Sequence, residues 1–230
     1  MKTAHKVTIG WCDPGQVEGE FAVRLMMLAM DRRDRLGPML RVEGSALVSR
    51  QRNELVRAFL DDTDSDWLLM VDADEVLTTA AFDKLVSAAH AFERPVVAGL
   101  YFAALERGGL IPMPQPTIYH AFVDGFAAIH DYPADSIIEV DAAGTGCLLI
   151  HRTVLEALRA KASEHEGTNW CWFNDGPING HWVGEDMIFC RRIKDAGFPI
   201  VCHTGATLPH RKRFWMTEQH HEALKGPGRD

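Results

Sequence analysis

Trp67-Leu68-Leu69-Met70-Val71 is an unbroken apolar run that stops at Asp72-Ala73-Asp74-Glu75, and it constrains the fold more than any other stretch. A run of this length bounded by acids fits a central strand of an α/β sheet, buried on both faces. Ligands of such sheets gather at the carboxyl ends of the strands, where Asp72 and Asp74 fall. In extended chain, residues i and i+2 point the same way, so both carboxylates can reach one divalent cation. The competing reading of a bare pair is that Asp74 caps the next helix and Asp72 is a solvated loop acid.

Around this strand the first half alternates strand and helix, the pattern of a parallel sheet with covered faces. Strands are expected at 6–11, 39–42 and 95–102. Helices are expected at 18–32 and 45–60, and after a cap at Thr78 or Thr79. Between 108 and 133 the character changes. Pro112, Pro114 and Pro116 forbid helix and central strand alike, which predicts a surface loop. Order resumes as a strand at 136–140, passes Gly144-Thr145-Gly146 and continues as a strand at 147–150. Thr153 and Glu156 have capping-box spacing for the following helix. Residues 169–181 read as an aromatic loop, 184–197 as a helix ending at Gly197, and 199–203 as a last strand. One domain is expected over 1–215, with a tail at 216–230.

Composition narrows the partners. The 230 residues are 47% hydrophobic and 24% charged, as in an ordinary globular chain. No apolar stretch is long enough to cross a bilayer and the start lacks a signal-peptide core, so a cytoplasmic protein is expected. Five scattered cysteines without a Cys-x-x-Cys pair predict reduced thiols. A formal net charge of -8 argues against a nucleic-acid partner. An acidic protein that binds an anion must supply local positive charge, and a divalent metal on Asp72 and Asp74 would do so.

Further motifs follow in a fixed order. A helix carrying Arg50 and Asn53 precedes Asp72-Ala73-Asp74; Gly144-Thr145-Gly146 precedes Leu148-Leu149-Ile150; and Gly184-Glu185-Asp186 opens a helix ending Asp195-Ala196-Gly197-Phe198. This order resembles the GT-A-fold glycosyltransferases, especially family-2-like enzymes. The resemblance implies a Rossmann-like fold with a central mixed, mostly parallel sheet flanked by helices. It also implies transfer of a sugar from a nucleotide-diphosphate sugar to an acceptor hydroxyl, the acceptor being a glycan, protein, lipid or small molecule. By the same resemblance Asp74 is the more direct ligand of Mn²⁺ or Mg²⁺, and Asp72 contacts the ribose or the metal. His210, in Leu208-Pro209-His210-Arg211, completes the metal site, with His203 as a competing ligand that its apolar strand makes structural.

The remaining assignments follow the same logic. A metal bridging the diphosphate oxygens acts as a Lewis acid for leaving-group departure. Asp186 is the expected base for an inverting displacement, its place at a helix N-terminus favouring the ionised form; in a retaining enzyme it would position substrate instead, and Glu185 is the neighbour that could exchange roles with it. Arg50 and Asn53 match nucleotide-contacting positions. Gly144 and Gly146 would let the backbone approach donor or acceptor. Trp170, Trp172 and Trp182 are either an acceptor platform or core, and Arg211, Lys212 and Arg213 either close over the diphosphate or are solvated. The first strand ends Gly10-Trp11-Cys12-Asp13-Pro14, without the family's usual proline and hydroxyl residues, so Trp11 and Asp13 stand as the base-binding wall.

Two other classes compete. Asp72-x-Asp74-x-Val76 also fits the nucleophile motif of haloacid-dehalogenase-like phosphohydrolases, which place it on the first strand. A noncatalytic carbohydrate-binding module explains the aromatics but not the ordered acids. A sugar nucleotidyltransferase would need a Gly-rich, Arg-bearing loop after the first strand, and none is present.

Overall fold

The computed structural model describes residues 6–44, 47–105, 112–123, 125–161 and 172–224. In chain order the elements are β1 (Val7–Asp13), α1 (Gly19–Asp31), β2 (Leu36–Glu43), α2 (Val48–Asp62), β3 (Trp67–Val71), α3 (Thr79–Ala88), β4 (Val96–Leu100), β5 (Phe102–Leu105), β6 (Met113–Pro116) and β7 (Ile118–Phe122). They continue with β8 (Gly125–Ala128), β9 (Ile137–Val140), β10 (Ala142–Ala143), β11 (Cys147–His151), α4 (Arg152–Lys161), β12 (Gly176–Ile178), β13 (His181–Val183), α5 (Glu185–Asp195), β14 (Ile200–Thr207) and α6 (Glu218–Leu224).

A seven-stranded sheet, ordered β2-β1-β3-β11-β4-β14-β9, forms the middle layer. β2, β1, β3, β4 and β14 run one way, while β11 and β9 run against them. Every residue of β3 is buried, and its side chains divide between two cores by strict alternation. Leu68 and Met70 face α2, α4 and α5, where they meet Phe59, Leu155 and Phe189. Trp67, Leu69 and Val71 face α1 and α3, where they meet Phe21, Leu28, Phe82 and Leu85. Each such fully buried side chain contributes about 1.5–3 kcal/mol relative to exposure, before the entropy of ordering is set against it.

Polar contacts fix where the helices stop and start. Arg152 reaches back to the carbonyls of Phe59, Leu60, Thr63 and Ser65, satisfying the end of α2. The expected capping box is not formed: α4 already begins at Arg152, and Thr153 Oγ1 bonds His151 Nδ1 instead. Thr78 caps α3 by accepting from the Ala81 N–H at 3.1 Å, so Asp74 is not the cap of that helix.

Two expected loops contain strands. The proline-rich segment forms β6, paired only with β5, and continues into β7 and β8. The Thr117 N–H donates to the Tyr101 carbonyl, so Pro116 and Pro114, one and three residues away, fall at ladder positions that need no N–H toward β5. In the aromatic loop, Asn179 (φ 49°) and Gly180 (φ 86°) are both left-handed, the requirement of a two-residue hairpin turn, and they join β12 to β13. The chain also leaves the main sheet at Tyr101, so the single strand expected at 95–102 is two. Among the described residues no helix is long and apolar enough to cross a membrane, and Cys12, Cys147, Cys190 and Cys202 are free thiols. α6 falls within the expected tail.

Candidate active site

Antiparallel β11 lies beside β3, so the glycine turn that leads into it reaches the end of β3. The Asp72 N–H donates to the Gly146 carbonyl at 2.9 Å, and the Gly146 N–H donates to the Tyr101 hydroxyl at 3.1 Å. A Cβ on Gly144 would strike the Tyr101 hydroxyl, and one on Gly146 would strike Glu75 Oε1 and Asp72 Oδ2. Both glycines are therefore required by side chains packed against them, a different reason from approach to a ligand.

Arg52 of α2 joins the two acidic motifs. Its side chain is only 6% exposed. Nη2 lies 3.1 Å from Asp72 Oδ1, while Nη1 lies 2.8 Å from Glu185 Oε1 and 2.6 Å from Asp186 Oδ1. Burial works against this guanidinium's charge, but Asp186, Asp72 and Glu185 outweigh it and hold its pKa above the usual arginine value. Thr145 Oγ1 donates to Asp186 Oδ1 as well. Burial, then the Asp186 charge, raises the Glu185 carboxyl against the opposing pull of Arg52. Helix α5 has its own cap, Asp175 Oδ1 accepting from the Glu185 N–H, so Asp186 is not spent on capping.

Asp74 faces the segment after β14. The Val76 N–H donates to the Pro209 carbonyl and the Arg211 N–H to the Asp74 carbonyl, so residues 209–211 pair against 74–76 and bring His210 over the acid. His210 Nε2 is 3.2 Å from Asp74 Oδ2, and Nδ1 is 3.0 Å from the Phe102 carbonyl. Lys212 Nζ stands 3.8 Å from the same Asp74 oxygen. Burial acts to raise the Asp74 carboxyl, but the His210 hydrogen bond and charge, with Lys212, hold it below its ordinary value. His203 is elsewhere on β14, its Nδ1 accepting from the Gly205 N–H. Arg211 and Arg213 both pair with Glu18, at 2.6 and 2.5 Å.

A cleft of about 500 Å³ runs from Asp72, Asp74, Glu18 and Arg213 to Cys12, Asp13, Val48 and Gln51. Asp13 lines it, but Trp11 Nε1, the Gly15 N–H and the Arg41 guanidinium fill its carboxylate oxygens. Trp11 packs edge-on against Phe21, 5.7 Å between ring centroids, and does not line the cleft. Arg50 is exposed and also lies outside the lining. Asn53, expected at the nucleotide, instead holds a loop: Oδ1 accepts from the N–H groups of Trp172 and Phe173, and Nδ2 donates to the Phe173 carbonyl. Trp172 is core, with Nε1 donating to the Leu155 carbonyl; Trp182 is 77% exposed on β13; Trp170 lies outside the described residues.

Glu75 has no counterpart among the expected site residues. It is fully buried, and neither carboxyl oxygen has a hydrogen-bond partner. Burial, then the charges of Asp72 and Asp74, pushes this carboxyl well above the usual range. The folded protein thus keeps a proton that the unfolded chain releases near about pH 4.3. The stability this confers is present below that pH and is lost as pH rises toward the raised folded value. Glu75→Gln, which cannot ionise, is expected to flatten the fall in stability as pH rises from about 4.3 through neutrality. Urea midpoints across that range test this, and a slope identical to that of the parent protein contradicts it.

The residues present fit a divalent cation in part. His210 has the second-shell anchor usual for a metal-binding imidazole, one ring nitrogen on a carbonyl and the other facing the site. Asp74 Oδ2 adjoins that second nitrogen. Asp72 is turned onto Arg52, and among the described residues no three His, Cys, Asp or Glu side chains converge as a finished coordination shell.

The architecture is a GT-A fold, a mostly parallel sheet with helices on both faces and its acidic motifs at the strand ends. Solved structures similar to it include A197 from STIV, with a TM-score of 0.57 and 20% identity over 90% of this chain and 86% of that one, and GalNAc-T7 with UDP, GalNAc and Mn²⁺, with a TM-score of 0.55 and 10% identity over 93% of this chain. The chain corresponds to 45% of the GalNAc-T7 chain. No protein-family model and no curated protein sequence matches. At these identities the likeness defines the fold alone.

Proposed function

We propose that this chain is a metal-dependent glycosyltransferase that moves a sugar from a nucleotide-diphosphate sugar to an acceptor hydroxyl. The observation that carries the reading is the meeting of Asp72, Glu185 and Asp186 on Arg52 beside a cleft that Asp72 and Asp74 line, with His210 on the Asp74 carboxylate. Asp74 and His210 would hold Mn²⁺ or Mg²⁺, which supplies Lewis-acid neutralisation of the diphosphate. The cleft takes the nucleotide, and Lys212, Arg211 and Arg213 stand beside its acidic end to receive phosphate charge.

Asp186 Oδ1 is occupied by Arg52 and Thr145, which leaves Oδ2 to accept a proton. In an in-line displacement the acceptor O–H bond breaks toward Oδ2 and the acceptor oxygen bonds the anomeric carbon. The bond from that carbon to the diphosphate oxygen breaks, and its electron pair leaves with the nucleoside diphosphate.

The experiment is a thermal-shift screen of nucleotide sugars with and without Mn²⁺. At a hundred times Kd, ligation adds about 2.7 kcal/mol, which for a chain of this size raises Tm by roughly 5–10 °C. A Mn²⁺-dependent rise with at least one nucleotide sugar is expected. No rise with any of them, together with release of phosphate from p-nitrophenyl phosphate that Asp72→Asn abolishes, would assign a phosphohydrolase instead.

A further inference from the structure

Arg52 takes no part in the bond changes of transfer, yet its side chain is only 6% exposed and Asp72, Glu185 and Asp186 all converge on it. Its two terminal nitrogens serve different elements: Nη2 bonds Asp72 at the end of β3, and Nη1 bonds Glu185 and Asp186 at the start of α5. The guanidinium carbon lies over the Phe173 ring, 6.0 Å from its centroid, and Asn53 fixes the backbone of Phe173 to the same helix one residue on.

This arrangement selects which oxygen of Asp186 is free. With Arg52 and Thr145 both on Oδ1, the carboxylate cannot rotate without breaking a charge-assisted bond and a hydroxyl bond together. A lysine in this place would present both acids with one rotatable ammonium, whereas the planar guanidinium gives Asp72 and Asp186 separate nitrogens in a fixed geometry.

Resting on the glycosyltransferase reading, we propose that Arg52 is a positioning residue for the transfer step: by holding Asp186 through Oδ1 it aims Oδ2 at the acceptor, and by holding Asp72 it sets that oxygen relative to the bound donor. It does not touch the reacting atoms. Its loss therefore affects turnover more than donor affinity.

The test compares Arg52→Lys and Arg52→Ala with the parent protein, measuring Mn²⁺-dependent binding of a nucleotide sugar and its steady-state transfer to water. Arg52→Lys keeps the charge and guards against a variant that does not fold. Donor affinity is expected to change less than about tenfold and kcat to fall at least about 100-fold, the scale on which misplacement of a catalytic group acts. Guanidinium ion at millimolar concentration, below denaturing levels, is expected to restore part of the kcat of Arg52→Ala, which simple loss of packing would not permit. Lysine supporting the parent kcat, or a loss confined to KM, overturns the proposal. Failure of the parent protein to bind or turn over any nucleotide sugar would instead remove the glycosyltransferase reading on which it rests.

Discussion

Asp74→Ala is expected to remove metal-dependent donor binding while leaving the protein folded. The Asp74 side chain is 40% exposed, and its partners His210 and Lys212 are held by other contacts or by solvent. Removing an ion pair this accessible costs about 1 kcal/mol or less. The loss to the ligand is of another order, because the carboxylate would sit directly on the cation that neutralises the diphosphate. Second-shell substitutions at metal sites already cost 10–100-fold, so a loss of at least about 100-fold in Mn²⁺-dependent affinity is expected. Titration calorimetry with a nucleotide sugar checks this, and unchanged affinity at an unchanged melting temperature would sink the metal assignment.

The second large effect is expected in Asp186→Asn, in the opposite pair of readouts. The amide oxygen can still accept from Arg52 and Thr145, so the shape of the site persists. The group facing the acceptor can no longer take a proton. Donor binding is expected to stay within about twofold, while transfer to water falls by about 10²–10⁴, the usual contribution of a general base. Glu185→Gln is the matched control, one position away and on the same guanidinium. Full turnover in Asp186→Asn, or a larger loss in Glu185→Gln, would move the base off Asp186.

The parts of this fold written in local pattern were legible in the sequence. β3 reads from its apolar run, α1 and α2 from their helical spacing, and α5 from the Gly184 to Gly197 interval. The acids at the end of β3 and the start of α5 could be paired by their order. The prolines of β6 were misleading because their tolerance depends on which side of a two-stranded ribbon needs N–H groups, and that follows from partner register. The Asn179-Gly180 turn was a legible signal that the surrounding aromatics obscured.

The role of Arg52 is hidden for a different reason. The helical period does mark the arginine that points inward, since Arg52 stands three, four and seven residues before Leu55, Val56 and Phe59, while Arg50 and Arg57 fall off that buried face. Its role depends on residues 20 and 134 positions away. Asn53 matches a nucleotide-contacting position by pattern, but what it binds is the backbone at Trp172 and Phe173. Glu75 sits beside the acids that drew attention, and only burial reveals that it has no partner.

The position of β11 has a consequence for how the protein is made. In the finished sheet it separates β3 from β4, yet it is synthesised after both. Until residues 147–151 have left the ribosome, β3 and β4 each lack their inner hydrogen-bonding neighbour, although every residue of both is apolar or small and destined for burial. A chain that stops short of Cys147 therefore carries three unpaired apolar strand edges, one on β3 and both on β4, whose other neighbour β14 comes later still, the surfaces on which nascent and truncated proteins aggregate. The Asp72 side of the site is braced at the same moment, since the glycine turn is the entry to β11, while Asp186 and His210 arrive later.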